Sequence, residues 1–278
     1  MRILIVNDDG MQAAQLPNLI RWARQYGEVT TFVPKVEQSG KSHSFTLHRD
    51  FEVKEQRIAE DITVWSVDST PADCVRFAVL GKKLTFDLVI SGVNRGYNMG
   101  ADIMYSGTCA AAYEAVNLGI PAIAISTCPE NYHRATVELD RVWEFFREKK
   151  LMEVNNLYNV NIPPEVKGFR ITSQGGPFYS DDFPAVGNDM YRPQGKPVWE
   201  DSFNDSLDTD ATIHGYITIT PLQLDRTNRA VFEKLQAAGV YCCDKLSFSG
   251  VEECGDLWSP SILRMQGIRI ATALRASQ

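Results

Sequence analysis

Two hydrophobic rhythms alternate along the first half of the chain. Arg2-Ile3-Leu4-Ile5-Val6 is a short, nearly continuous apolar run, the pattern of a strand buried on both faces. Leu16, Leu19, Ile20, Ala23 and Tyr26 then recur at helical spacing, with Gly27 as a stop. Residues 29–33 predict a second strand closed by Pro34, and residues 62–67 a third. Thr70-Pro71-Ala72-Asp73 opens a helix, with Thr70 as the cap, Pro71 at the first position and Asp73 as the acid of the first turn. Residues 86–91 and 122–126 predict further strands. Between them, Tyr105-Ser106-Gly107-Thr108-Cys109-Ala110-Ala111-Ala112 starts a helix whose small residues suit close packing on a sheet. Strand–helix alternation through residue 150 predicts an α/β fold, a Rossmann-like three-layer structure with a mostly parallel sheet.

The second half changes character. Residues 157–162, 169–172 and 215–221 read as strands and 229–238 as a helix. Residues 180–210 are polar and aromatic and are interrupted by Pro184, Pro193 and Pro197, a composition suited to an arm rather than to a core. The expected layout is a single α/β domain over residues 1–278. Within it, residues 1–150 form the core of the site, 180–214 a protruding arm and 226–278 a C-terminal segment.

Composition adds bounds. With 278 residues, 44% of them hydrophobic, the chain can bury a sizeable core. A net charge of -7 argues against nucleic-acid duplexes and anionic membranes as partners. The absence of a charged-then-apolar leader and of a run of about 18 apolar residues gives a soluble, cytoplasmic protein as the expectation. The six cysteines form no C-x-x-C pair, so zinc and redox motifs are unsupported. Cys74, Cys109 and Cys128 read as small core residues; Cys242, Cys243 and Cys254 carry no assigned role.

The first strand ends on Asn7-Asp8-Asp9-Gly10. Adjacent carboxylates at the end of a buried strand are costly unless a cation neutralises them. In an open α/β sheet this strand end is also where ligands bind. The same four residues are good turn chemistry, so the motif alone leaves both readings open. Three other segments gather at the same predicted edge: Ser39-Gly40, Asn94 through Gly100, and Ser106-Gly107-Thr108. Asp8, Asp9, Ser39 and Asn94 offer two carboxylates, a hydroxyl and an amide carbonyl, hard oxygen donors that suit Mg²⁺ or Mn²⁺. Ser106, Gly107 and Thr108 at a helix start offer hydroxyls and free N–H groups, an anion site suited to phosphate, although Ser106 equally serves as a simple cap. His43 is a conceivable acid or a solvated loop residue.

These ordered stretches resemble the SurE family, the stationary-phase survival 5'/3'-nucleotidases. The match rests on Ile3 through Gly10, Ser39-Gly40, Ser69-Thr70-Pro71-Ala72-Asp73, Ser91-Gly92-Val93-Asn94-Arg95-Gly96-Tyr97-Asn98-Met99-Gly100 and Tyr105-Ser106-Gly107-Thr108. Further matches are Leu118-Gly119-Ile120-Pro121-Ala122, Asn159-Val160-Asn161-Ile162-Pro163 and Asp208-Thr209-Asp210 with the strand after it. The resemblance implies a divalent-metal phosphomonoesterase acting on nucleoside 5'- or 3'-monophosphates. Asp8, Asp9, Ser39 and Asn94 fall on its metal ligands. Asn98 and the Ser106-Gly107-Thr108 turn fall near the substrate phosphate. The expected mechanism has Asp8, in preference to Asp9, orient or deprotonate the water, while Asn94, Asn98, Ser106 and Thr108 stabilise charge. It also implies a homodimer or homotetramer built with protruding hairpins. Met11-Gln12-Ala13-Ala14-Gln15, Arg95 and Ala101 depart from the family pattern and reshape the rim. The alternatives are a non-catalytic nucleotide- and metal-binding oligomer and an acid phosphatase for other phosphomonoesters. A covalent phosphoaspartate enzyme is disfavoured, because haloacid-dehalogenase-type enzymes use Asp-x-Asp and these carboxylates are adjacent.

Overall fold

The computed structural model describes residues 1–238. The chain divides into two compact units, Met1–Asp225 and Arg226–Gln278. In the second unit the described structure is one helix, Arg229–Ala237, capped by the Asn228 side chain accepting from Val231 N at 3.1 Å. Cys242, Cys243 and Cys254 lie outside the described residues.

The first unit begins with β1 (Arg2–Val6), α1 (Leu16–Ala23) and β2 (Glu28–Pro34), followed by β3 (Val53–Ala59), β4 (Ile62–Val67) and α2 (Pro71–Arg76). Then come β5 (Leu88–Arg95), α3 (Gly107–Asn117), β6 (Ala122–Thr127), α4 (Arg134–Glu148), the single turn α5 (Leu151–Val154), β7 (Leu157–Ile162) and β8 (Gly168–Ile171). Four short strands form the arm: β9 (Tyr179–Asp182), β10 (Ala185–Gly187), β11 (Met190–Tyr191) and β12 (Gln194–Pro197). The unit closes with α6 (Asp208–Ile213) and β13 (Tyr216–Pro221). The C-terminal helix is α7.

The main sheet has nine strands in the order β3-β4-β2-β1-β5-β6-β7-β13-β8. The run from β4 through β7 is parallel, and β13 is antiparallel to β7 and parallel to β8. The mostly parallel α/β sheet expected from the sequence is therefore present. Alternation along β1 builds both layers: Ile3 and Ile5 pack with Leu16, Leu19 and Ile20 of α1 and with Leu139, Val142 and Phe146 of α4. Leu4 and Val6 pack on the other face with Cys74 and Val75 of α2 and with Ala111, Ala112 and Ala115 of α3. The small residues of α3 let it lie against the sheet, as their run predicts. Thr70 caps α2 as expected, its hydroxyl accepting from Asp73 N at 3.1 Å.

Two elements lie beyond the hydrophobic pattern. β3 is an edge strand with exposed Lys54, Glu55 and Arg57; its polarity conceals its pairing with β4 and protects the edge. α4 buries one stripe while its other face is charged.

The arm is shorter than the expected 180–214. β9 pairs with β12 and β10 with β11 as two antiparallel hairpins, and every residue of these strands is exposed. Residues 208–213 instead form α6, whose Asp208, Thr209 and Asp210 are buried. Their polarity in sequence suggests an arm, but these carboxylates serve the backbone. Asp208 accepts from Gly100 N at 3.0 and 3.1 Å and from Gly175 N at 2.8 Å. Asp210 accepts from Trp199 Nε1 at 2.9 Å and from the N–H groups of Ser202 and Asn204, both at 3.1 Å. Asp208→Ala leaves the N–H groups of Gly100 and Gly175 without their acceptor. We expect it to lower the unfolding free energy by about 2–4 kcal/mol, read from urea denaturation.

Candidate active site

Chain order places the site. From β1 the chain runs to β2 on one side and later returns to β5 on the other, so the carboxyl ends of β1 and β5 flank the point where strand order reverses. The loop after β1 carries Asp8 and Asp9, and the last residues of β5 are Asn94 and Arg95. Asn7 shapes the first loop through its own Nδ2 donating to Gly10 O at 3.0 Å and its Oδ1 accepting from Gly10 N at 3.2 Å. Gly10 has φ of 83°, the left-handed region, and a Cβ there would stand 2.9 Å from the Val36 carbonyl carbon. Asn-Asp-Asp-Gly is thus a turn, and the turn is what aims the carboxylates.

Asp8 is buried against the start of α3. Thr108 Oγ1 donates to Asp8 Oδ1 at 2.5 Å. Gly107 is required here because a Cβ would meet Asp8 Cβ at 2.9 Å and Oδ2 at 3.0 Å. The loop carrying Ser39 is tied to the same place by Gln38 N donating to Asp8 O at 2.8 Å. Asp9 turns toward the end of β5 and accepts from Arg95 N at 3.1 Å and from the Tyr132 hydroxyl at 3.2 Å. Asp8, Asp9, Asn94, Gly107 and Thr108 are therefore neighbours or bonded to neighbours at one sheet edge.

The remaining predicted residues sit differently. Ser39 is exposed, and its hydroxyl donates to Glu37 Oε1 at 2.8 Å. Asn94 is buried, and its Nδ2 donates to Gly96 O at 2.8 Å, which leaves the carbonyl Oδ1 as the atom available to a cation. Ser106 caps α3, its hydroxyl accepting from Cys109 N at 3.0 Å. Asn98 is held from all sides. Its N–H donates to Asn161 Oδ1 at 2.9 Å, and its carbonyl accepts from Asn159 Nδ2 at 2.6 Å and Asn161 Nδ2 at 2.9 Å. Its own Nδ2 donates to Ser126 Oγ at 2.7 Å. His43 is neither a free acid nor merely solvated: its Nε2 lies 2.9 Å from Glu114 Oε2, and Glu114 also pairs with Arg76 at 3.0 Å. Cys74, Cys109 and Cys128 are buried free thiols, as expected.

Sequence reasoning assigned no role to Tyr132, Asn159, Asn161 or Asp208. The buried asparagines of β7 were visible as polar interruptions, Asn159 and Asn161, in an apolar strand. Tyr132 carried no signal, since its partner is 123 residues away.

Both carboxyls of the pair are harder to ionise than exposed acids. Burial pushes the Asp8 carboxyl up from its ordinary value of 3.8 to about 6, opposed by hydrogen bonding from Thr108 and reinforced by Asp9. Burial also raises Asp9, while the Arg95 N–H and the Tyr132 hydroxyl pull it down. Two carboxylates that resist ionisation, with an amide oxygen beside them, match the hard-donor chemistry of Mg²⁺ or Mn²⁺. The donors Asp8, Asp9 and Asn94 fit such an ion. Ser39 donates its proton to Glu37, which leaves the lone pairs of its oxygen for a cation. Among the described residues no group of three or more His, Cys, Asp and Glu side chains gathers as a metal cluster.

An α/β protein with an acidic pair and a helix N-terminus facing each other at its switch point is the class this geometry defines. The family model for the survival protein SurE matches residues 3–181, and the chain belongs to that family. A 5'-nucleotidase SurE of Gemmatimonas aurantiaca is 40% identical over 247 residues, covering 83% of this chain and 96% of that protein. One from Thermoanaerobacter sp. strain X514 is 35% identical over 246 residues, covering 82% of this chain and 94% of that protein. The crystal structure of the SurE protein from Aquifex aeolicus aligns with a TM-score of 0.68 at 32% identity, over 86% of this chain and all of that one. Among the described residues no helix is long and apolar enough to cross a membrane.

The raised Asp8 value has a consequence for stability. The folded protein holds this proton more tightly than the unfolded chain, so ionisation of Asp8 costs stability as pH rises from its ordinary value of 3.8 through about 6. Above that window the full penalty, on the order of 3 kcal/mol, is present. Metal-free Asp8→Asn is expected to be more stable than the parent at pH 8 by up to this amount, with the gap closing toward pH 4. Urea titrations in EDTA across that range measure it.

Proposed function

We propose that the protein hydrolyses nucleoside 5'- or 3'-monophosphates to nucleoside and phosphate with a divalent cation, Mg²⁺ or Mn²⁺. The observation that carries this reading is the buried Asp8–Asp9 pair held against the first turn of α3. Relatives named 5'-nucleotidase that share a third or more of their residues over most of the chain point to the same reaction class.

In this reading Asp8, Asp9, Ser39 and Asn94 hold the ion. When bound, the ion polarises the phosphoryl oxygen and lowers the pKa of a water molecule. Asp8 orients that water and accepts its proton. Thr108 fixes the Asp8 carboxylate and selects which oxygen faces the substrate. Gly107 and Thr108 at the start of α3, with the Ser106 cap, place the positive end of the helix dipole by the phosphate. Asn98, with its backbone clamped by Asn159 and Asn161, keeps an amide in fixed position where charge builds on the equatorial oxygens.

The protein is expected to act in the cytoplasm as a homodimer or homotetramer, with the exposed hairpins β9–β12 reaching another subunit. Replacing residues 180–197 by a short linker should leave the first unit folded and lower the mass measured by light scattering. An unchanged mass would remove the hairpins from assembly.

Phosphate release from 5'- and 3'-nucleoside monophosphates, with EDTA, Mg²⁺ or Mn²⁺, tests the reaction. Release should depend on added metal and fall by about a thousandfold or more in Asp8→Asn. Activity retained in that variant would overturn the role of Asp8, and a trapped phosphoaspartate would replace direct water attack with a covalent route.

A further inference from the structure

A cleft of about 520 Å³ opens beside Asp9, within the range of small-molecule sites, about 300–1,000 Å³. One wall is the turn before α1, with Gln12, Ala14 and Gln15; the other follows β6, with Tyr132 and His133; Arg95 lies at the end of β5. None of these residues is needed to hold the Asp8–Asp9 pair except through the Arg95 N–H and the Tyr132 hydroxyl.

The lining selects what can enter. With Asp9 given to the cation, Glu37 and Glu130 set two carboxylates against the guanidinium of Arg95, which disfavours a second phosphate in the cleft more than a neutral group. The Arg95 plane suits stacking on a heteroaromatic ring or a bidentate hydrogen bond to a purine edge. The carbonyl of Gln15 accepts from Asn18 Nδ2 at 2.8 Å and Thr136 Oγ1 at 3.4 Å, which leaves its amide N–H groups for a hydroxyl or a base. Tyr132 is fixed by donating to Val93 O at 2.9 Å and to Asp9, so its ring is a rigid wall.

We propose that this cleft is the subsite for the uncharged nucleoside half of the substrate, and that Arg95 and the turn before α1 set which nucleotides bind. The proposal rests on the hydrolytic reading for the orientation of the ligand, with phosphate at the Asp8–Asp9 pair, but the subsite can be measured without hydrolysis. A nucleoside bearing both a 3'- and a 5'-phosphate is expected to bind worse than either monophosphate, because Glu37 and Glu130 line the cleft.

The test is calorimetric titration of the full-length protein with adenosine and guanosine, alongside their inhibition of phosphate release. Saturable binding to the parent, weakened about tenfold or more in Ala14→Trp, which fills the cleft, is the expected result. Thermal melting establishes that the variant is folded. If it is not, Arg95→Gln, which keeps the N–H to Asp9, should weaken binding comparably. No binding to the parent, or binding untouched by a folded Ala14→Trp or by Arg95→Gln, overturns the subsite. Nucleoside binding lost in the variant while no monophosphate is hydrolysed under any metal would keep the subsite and overturn the hydrolytic reading. Metal-dependent release that nucleosides do not inhibit would do the reverse.

Discussion

The structure depends on burying a carboxylate beside a second carboxylate. Asp8 sits out of water with Asp9 next to it, and both are harder to ionise than an exposed acid. The fold tolerates this because three neighbouring elements converge on the pair: the Thr108 hydroxyl, the Arg95 N–H and the Tyr132 hydroxyl each donate to it. These donors soften the cost without removing it. A stabler edge would be easy to build by replacing either acid, so the pair is kept at a cost in stability.

The supports extend well beyond the pair. Asn159 and Asn161 of β7 clamp the backbone of Asn98, and Asp208 of α6 holds Gly100 two residues further on. The loop after β5 is therefore fixed by side chains rather than by sheet pairing. His43, Glu114 and Arg76 form a separate ion-pair cluster that ties the loop beyond Ser39 to α2 and α3. These buried polar groups are satisfied by one another, the condition under which such networks fix one conformation.

Much of the fold was legible because its strands are buried on both faces and its helices are punctuated. Residues 2–6, the Thr70-Pro71-Ala72-Asp73 cap and the alanine run after Gly107 each encode their element locally. β3 was hidden by its charges, and α6 looked like arm because its buried acids read as surface. For the site, the pairing of Asp8 with the Ser106-Gly107-Thr108 turn follows from chain order at the switch point. The separate destinations of Ser39 and Ser106 do not: a hydroxyl has several partners within reach, and only three-dimensional packing chooses Glu37 for one and a helix cap for the other. Tyr132 and Asp208 act across long separations that no local pattern records.

The insertion of β13 between β7 and β8 has a bearing on how the chain is made. Among the described residues β8 pairs only with β13, and β13 lies beyond the whole arm in sequence. During synthesis the edge of β7 stays open, and β8 has no partner, until the residues of β13 leave the ribosome. The hairpins β9–β12 emerge inside that interval, so a nascent chain presents an unpaired parallel-sheet edge and an exposed arm at once. Among the described residues the last strand to arrive is also the one that joins β8 to the sheet, which makes its timely delivery a requirement for avoiding edge-to-edge association between growing chains.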